Sequence, residues 1–289
     1  MLNLFYSESY WGHTSRMNGP RKVIHNLTES LKQEGVEFAV NEEKYEHNLV
    51  LQYDAKGHEK HSMIEQETCV IGPQVWLFDP YGQFLVQNPN FYKSMIAPSQ
   101  WVKDLFVNKF GMDESKVVVW PVGIELKPFK KDLSSIKYDC LLYYKRRSKE
   151  ELEAAIKFLK ENELTYNVVE YGSYAQDELE RLCDQSAFCF LLNGTESQGI
   201  AVQEMMARDM PMFVWDIKEW NDQGEQWRVP ATSVPYWSDQ CGVRFYDELE
   251  IEYAFSEFCD KIYTSRNYVE ENLSYKKSVN ILMEILNAA

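Results

Sequence analysis

Short apolar runs alternate with amphipathic stretches along most of the chain. Residues 2–6 read as a buried strand, and a polar loop follows over 7–19. Pro20 sits where a first helical turn tolerates proline, and Val23, Leu27 and Leu31 then recur at helical spacing until Gly35. Residues 37–40, 48–53, 68–71 and 95–98 are further strand candidates. A helix is predicted over 99–110, with Trp101, Val102, Leu105 and Phe106 as its stripe and Gly111 closing it. Residues 117–120 read as a fully buried strand.

A polar, lysine-containing stretch with Pro121, Gly123 and Pro128 interrupts this rhythm, and 126–137 is assigned as a linker. The rhythm then restarts. Strands are expected over 139–144, 166–171, 187–192 and 211–215, and helices over 148–161, 176–184 and 199–208. Two closing helices are expected over 248–265 and 268–286. Strands alternating with helices imply an α/β protein whose parallel sheets are covered on both faces. The boundaries this gives are 1–125 for an N-terminal domain, 138–265 for a second domain and 266–289 for a terminal helical segment. In open parallel sheets ligands bind beyond the carboxyl ends of the strands, so loops at those ends matter most.

The net charge of -15 disfavours nucleic acid or an anionic membrane as the main partner, because both repel an acidic protein. The first residues lack the features of a signal peptide, and no apolar run approaches the ~20 residues of a membrane span. The six cysteines form no CxxC pair and suit reduced, buried thiols in a cytoplasmic protein. Asn26, Asn193 and Asn272 open N-x-S/T triplets that read as chance matches. His58 and His61, three apart in a polar stretch, are assigned to a solvated loop rather than a metal site. No G-x-G-x-x-G, P-loop, G-x-S-x-G or H-E-x-x-H string occurs, and no Asp-x-Asp that would hold a divalent ion between phosphates.

Two stretches carry candidate chemistry. The run from Asn193 to Glu204 follows a buried strand and opens a helix. A glycine-containing turn there presents free N–H groups and the positive end of the helix dipole to an anion. Glu196 stands in the turn as either an ordinary loop acid or a ligand group. Glu204 lies in the helix among Ile200, Val202, Met205 and Met206, as a solvated edge or an acceptor for ligand hydroxyls. The run Lys145-Arg146-Arg147-Ser148-Lys149 also follows a buried strand and opens a helix, and makes a local basic pocket.

The string Glu196-Ser-Gln-Gly-Ile-Ala-Val-Gln-Glu204-Met-Met-Ala207-Arg-Asp-Met-Pro211 resembles the E-G-F-G-L-x-x-x-E-A-M-A-x-G-x-P run of retaining glycosyltransferases of family 4. Three more stretches fall in the family's order. Asn18-Gly19-Pro20 through Gly35 resembles its first Gly-rich loop and helix. Ser99-Gln-Trp-Val-Lys103 through Pro121-Val-Gly-Ile-Glu125 resembles the block that ends its N-terminal domain. Tyr268-Val-Glu-Glu-Asn-Leu-Ser274-Tyr resembles the opening of its last helix. Ser197 and Asp209 stand where the family commonly has Gly, and Val122 replaces an Asn. The C-terminal half also lacks one strand–helix unit that members usually carry.

The resemblance implies a GT-B fold: two Rossmann-like, doubly wound domains facing a cleft, with the last helix crossing back to the first. It implies transfer of a sugar from a nucleotide-sugar donor to a glycan or small hydroxyl acceptor, with retention and without metal or other cofactor. Glu196 would take the catalytic place beside the transferred sugar, with no protein nucleophile named. Gly19, Lys145, Arg146, Arg147, Ser197, Gly199, Ile200 and Glu204 would bind the donor, Glu204 through the ribose hydroxyls. Cations at the diphosphate would stabilise the leaving group as it gains charge. His13, Arg16, Tyr171 and Tyr174 are weaker candidates for donor or acceptor contact, and residues 75–92 for the acceptor side. Rival readings are a nucleotide-sugar epimerase of the same architecture and a non-catalytic sugar- or nucleotide-binding protein.

Overall fold

A computed structural model describes residues 1–6, 18–42, 46–62, 68–128 and 133–288. The chain divides into two compact units, residues 1–123 with 273–289, and residues 124–272.

In the first unit the elements run β1 (Leu2–Phe5), α1 (Gly19–Gln33), β2 (Phe38–Val40), β3 (His47–Gln52), α2 (Ala55–His61), β4 (Cys69–Gln74), α3 (Pro80–Gln87), β5 (Ser94–Ala97), α4 (Gln100–Phe110) and β6 (Val117–Val119). The six strands form one parallel sheet in the order β2-β1-β3-β4-β5-β6. The apolar runs form these strands because both faces are covered: Leu4, Leu49, Leu51, Ile71 and Ile96 are fully buried. Asn18 caps α1 by accepting from the Arg21 N–H at 3.1 Å, and Val23, Leu27 and Leu31 are buried, as their spacing requires. The last helix, α10 (Tyr275–Asn287), packs beside α1 in this unit. Trp120 donates its indole N–H to the Ser278 carbonyl at 2.9 Å, and the Ser278 hydroxyl donates to the Pro121 carbonyl at 2.7 Å. Gly123 lies so close to α10 that a Cβ would meet Tyr275 at 2.8 Å. Pro121 and Gly123 are therefore packed residues and not part of a solvated connection.

The second unit runs β7 (Tyr138–Lys145), α5 (Lys149–Glu161), β8 (Tyr166–Glu170), α6 (Gln176–Asp184), β9 (Ser186–Asn193), α7 (Ile200–Ala207), β10 (Met212–Trp215), β11 (Glu219–Trp220), β12 (Val229–Pro230), β13 (Gly242–Phe245), α8 (Ile251–Cys259) and α9 (Ser265–Leu273). Its parallel sheet has the order β13-β10-β9-β7-β8, and β11 and β12 form a separate antiparallel pair. Phenylalanines from adjacent strands stack across one face: Phe190 lies 5.0 Å from Phe213, and Phe213 lies 4.8 Å from Phe245. Phe158 of α5 and Phe258 of α8 cover them.

Several expectations needed correction. The helix expected over 268–286 is two helices, because Ser274 leaves helical backbone at ψ 158 and caps α10. The helix expected over 248–265 is interrupted after Cys259, with α9 starting at Ser265. β13 and the β11–β12 pair were not foreseen. His58 and His61 lie on α2, not in a solvated loop. His61 is fully buried, and the Tyr53 hydroxyl bonds both imidazoles, at 3.0 Å to His58 Nδ1 and 3.1 Å to His61 Nδ1. Five cysteines are buried, but Cys259 is exposed. Among the described residues, no helix is long and apolar enough to cross a membrane.

Candidate active site

The register of the second sheet fixes what meets at its carboxyl edge. Lys145, the last residue of β7, is directly opposite Asn193, the last residue of β9. Three residues beyond Asn193, the chain turns back and places the Glu196 carboxylate on the Lys145 ammonium. Asn193 Nδ2 donates to the same carboxylate oxygen at 3.0 Å. The Lys145 ammonium also sits 4.1 Å above the ring of Tyr171, at the end of the neighbouring strand β8. Only 13% and 14% of the Lys145 and Glu196 side chains are exposed, so the pair is strengthened by its surroundings while carrying a desolvation cost.

The three adjacent cations differ sharply. Arg147 is folded inward. Its guanidinium donates to the carbonyls of Asn193 at 3.1 Å and Trp215 at 2.8 Å. It also forms a fork with Glu151, at 2.9 and 2.5 Å, and lies over the Trp215 ring. Burial alone would raise the Glu151 carboxyl, but bonds from Arg147 and Ser148 outweigh it and hold it below the usual range. Arg147 therefore ties together the ends of β7, β9 and β10. Arg146 is exposed, with φ at 52° in the left-handed region, and among the described residues no hydrogen bond or ion pair engages its guanidinium. Of the basic run, Lys145 and Arg146 are thus the cations presented at the edge.

The 193–203 segment follows. Gly199 adopts φ 73°, and a Cβ there would also meet Pro235 at 3.3 Å, so a side chain is disfavoured twice. As the residue before α7 it gives that helix no side-chain cap. The first-turn N–H groups of Ile200 to Val202 have no carbonyl within their own helix. Ser197 is exposed, and Ile200 is buried. Among the described residues, four buried amide atoms of this segment have no hydrogen-bond partner: Asn193 Oδ1, both Gln198 amide atoms and Gln203 Oε1. Orphaned polar atoms cost ~1–3 kcal/mol each, so their concentration here is a feature to be explained.

Glu204, half-buried on α7, accepts from Gln176 Nε2 at 3.1 Å. The Tyr143 and Tyr174 hydroxyls are bonded at 2.7 Å. Burial raises both phenols, with Tyr174 pushed up to about 12 and Tyr143 further, so both stay neutral donors. Lys145, Glu196, Tyr171, Tyr174, Tyr143 and Glu204 thus belong to one edge of one sheet.

Gly19 lies in the other unit, at the start of α1, and none of the described residues comes within 4 Å of where a Cβ would be. Gln74 at the end of β4 donates to the Pro20 carbonyl at 2.8 Å, which fixes the helix start against the sheet edge. His13 and Arg16 lie outside the described residues. Sequence reasoning missed Asn193, Tyr143, Gln176 and the orphaned Gln198. Gln198 was visible as a polar residue where the resembled run has Phe; the others owe their places to register and folding back of loops.

No protein-family model matches the chain, and no curated protein does. Solved structures do. AviGT4, a glycosyltransferase involved in avilamycin A biosynthesis, is 9% identical at TM-score 0.60, with 100% of this chain and 98% of AviGT4 covered. Anabaena HepE, in complex with UDP and glucose, is 10% identical at TM-score 0.58, with 100% of each chain covered. A point mutant of S. aureus TarM, in complex with fondaparinux, alpha-GlcNAc-glycerol and UDP, is 10% identical at TM-score 0.55 over 92% of this chain; the chain spans 59% of that protein's length. With two Rossmann-like parallel-sheet units matched end to end by such structures, the chain has the GT-B fold.

Proposed function

We propose that the chain is a glycosyltransferase that moves a sugar from a nucleotide-sugar donor to a glycan or small hydroxyl acceptor, with retention and without a metal ion. The observation that carries this reading is the Lys145–Glu196 pair at the mouth of an uncapped helix start, in a segment with four orphaned buried amide atoms. A diphosphate would be neutralised by Lys145, Arg146 and the first-turn amides of α7. Cations at that place stabilise the departing nucleoside diphosphate more than the intact donor, which is what lowers a barrier. Glu204, oriented by Gln176, would accept from ribose hydroxyls, and Tyr171 would flank the base. Glu196 would hold the transferred sugar.

The reported UDP in HepE and TarM and the glucose in HepE support a nucleotide-sugar donor on this fold. Function is carried by the site and not the fold, so the donor and acceptor need their own test. Incubation with a panel of nucleotide sugars in excess chelator should give slow donor hydrolysis. Epimer formation instead would identify an isomerase, and tight binding without turnover a binding protein.

A further inference from the structure

The chain leaves the second sheet after β10 at Asp216 and makes a long excursion before β13. Asp216 is 2% exposed, and this excursion saturates its carboxylate. Oδ1 accepts from the Ile217 N–H at 2.8 Å, the Ser233 N–H at 2.7 Å and the Ser233 hydroxyl at 2.8 Å. Oδ2 accepts from the Thr232 hydroxyl at 2.7 Å and lies 3.7 Å from the Arg244 guanidinium. The Thr232 hydroxyl in turn accepts from the Val234 N–H at 3.0 Å. With that side chain pinned, the Thr232 carbonyl receives the Glu196 N–H at 3.1 Å. Pro235 then rests on Gly199, 3.3 Å from where a Cβ would be.

The segment 232–235 is thus anchored to the sheet through Asp216 and rests on both fixed points of the loop that carries Glu196. A carboxylate that accepts four hydrogen bonds has its lone pairs occupied and serves as an anchor. Resting on the glycosyl-transfer reading, we propose that Asp216 and Thr232 are positioning residues that set Glu196 against the transferred sugar. They act through the backbone of Glu196, without touching the substrate.

Thr232→Val keeps the shape and removes the hydroxyl. Misplacement of a ligand group by about 1 Å costs up to about 100-fold in rate, so kcat for donor hydrolysis should fall at least about 10-fold. The affinity for the nucleoside diphosphate that the wild type binds (from UDP, GDP, ADP and dTDP) should fall much less than the rate, because Glu196 meets that end of the donor only through Lys145. Thr232→Ser should restore the rate, and in a Glu196→Gln background Thr232→Val should cost nothing more. Should Thr232→Val not fold, Thr232→Ala carries the same comparison. A Thr232→Val enzyme at the wild-type rate, an equal loss of rate and nucleoside diphosphate affinity, or additive losses with Glu196→Gln would each overturn the proposal. A wild type that turns over no nucleotide sugar removes the reading and the inference together. An active wild type matched by Thr232→Val removes the inference alone.

Discussion

The guanidinium of Arg147 donates to the backbone carbonyl of Trp215 at 2.8 Å and lies 5.5 Å from the centre of the same residue's ring. This joins the start of α5 to the end of β10, past β9. Arg147→Ala removes a donor from each of two carbonyls and the whole guanidinium fork from the Glu151 carboxylate, which keeps only the Ser148 N–H, and should cost ~2–4 kcal/mol of stability. Thermal unfolding checks this. Arg146→Ala, at an exposed residue, should change stability by no more than about 0.5 kcal/mol but weaken nucleoside diphosphate binding.

Lys145→Met keeps the aliphatic stem over Tyr171 and removes the charge. Charge-assisted bonds contribute ~1.5–3 kcal/mol, so nucleoside diphosphate affinity should fall about 10- to 100-fold. Calorimetry should find binding of the parent nucleoside unaltered, since that ligand carries no phosphate.

His61, in the first unit, makes an acid-sensitive point. Burial is the main cause that lowers its imidazole to about 4, below the ordinary value of 6.5; the nearby Phe91 backbone opposes it and His58 adds to it. The folded pKa is depressed, so the unfolded chain binds the proton first. The stability is fully present above about 6.5, and is lost as pH falls from there toward 4. The loss should reach ~2–3 kcal/mol, because each tenfold difference in proton affinity between the folded and unfolded chain is worth ~1.4 kcal/mol. Urea unfolding at pH 7, 5.5 and 4.5 should show it, and His61→Phe should flatten the slope.

Much of the fold was legible because parallel strands buried on both faces are continuous apolar runs, as in Phe188 to Leu192. The β11–β12 pair was not, since strands of two residues leave no period to read. The break at Ser274 hid inside an amphipathic pattern that both helices share. At the site, residue types and spacing pointed to Glu196, Glu204 and the basic run. Which cation faces inward could not be read, because it depends on Arg147 reaching Trp215, 68 residues away. Asp209 is a related case: it stands where the resembled run has Gly, and it holds φ 53°. The local conformation is kept even though the residue is not.

The central claim is that a pyrophosphate is gripped by Lys145, Arg146 and the amides at the start of α7, with no divalent ion. Its most direct measurement is a titration of UDP, GDP, ADP and dTDP into the protein in excess EDTA, followed by calorimetry and thermal unfolding. One nucleoside diphosphate should bind in the chelator, and at about 100 times its Kd should add ~2.7 kcal/mol of stability. Binding that appears only when magnesium or manganese is restored, or no binding of any of the four, would contradict the account.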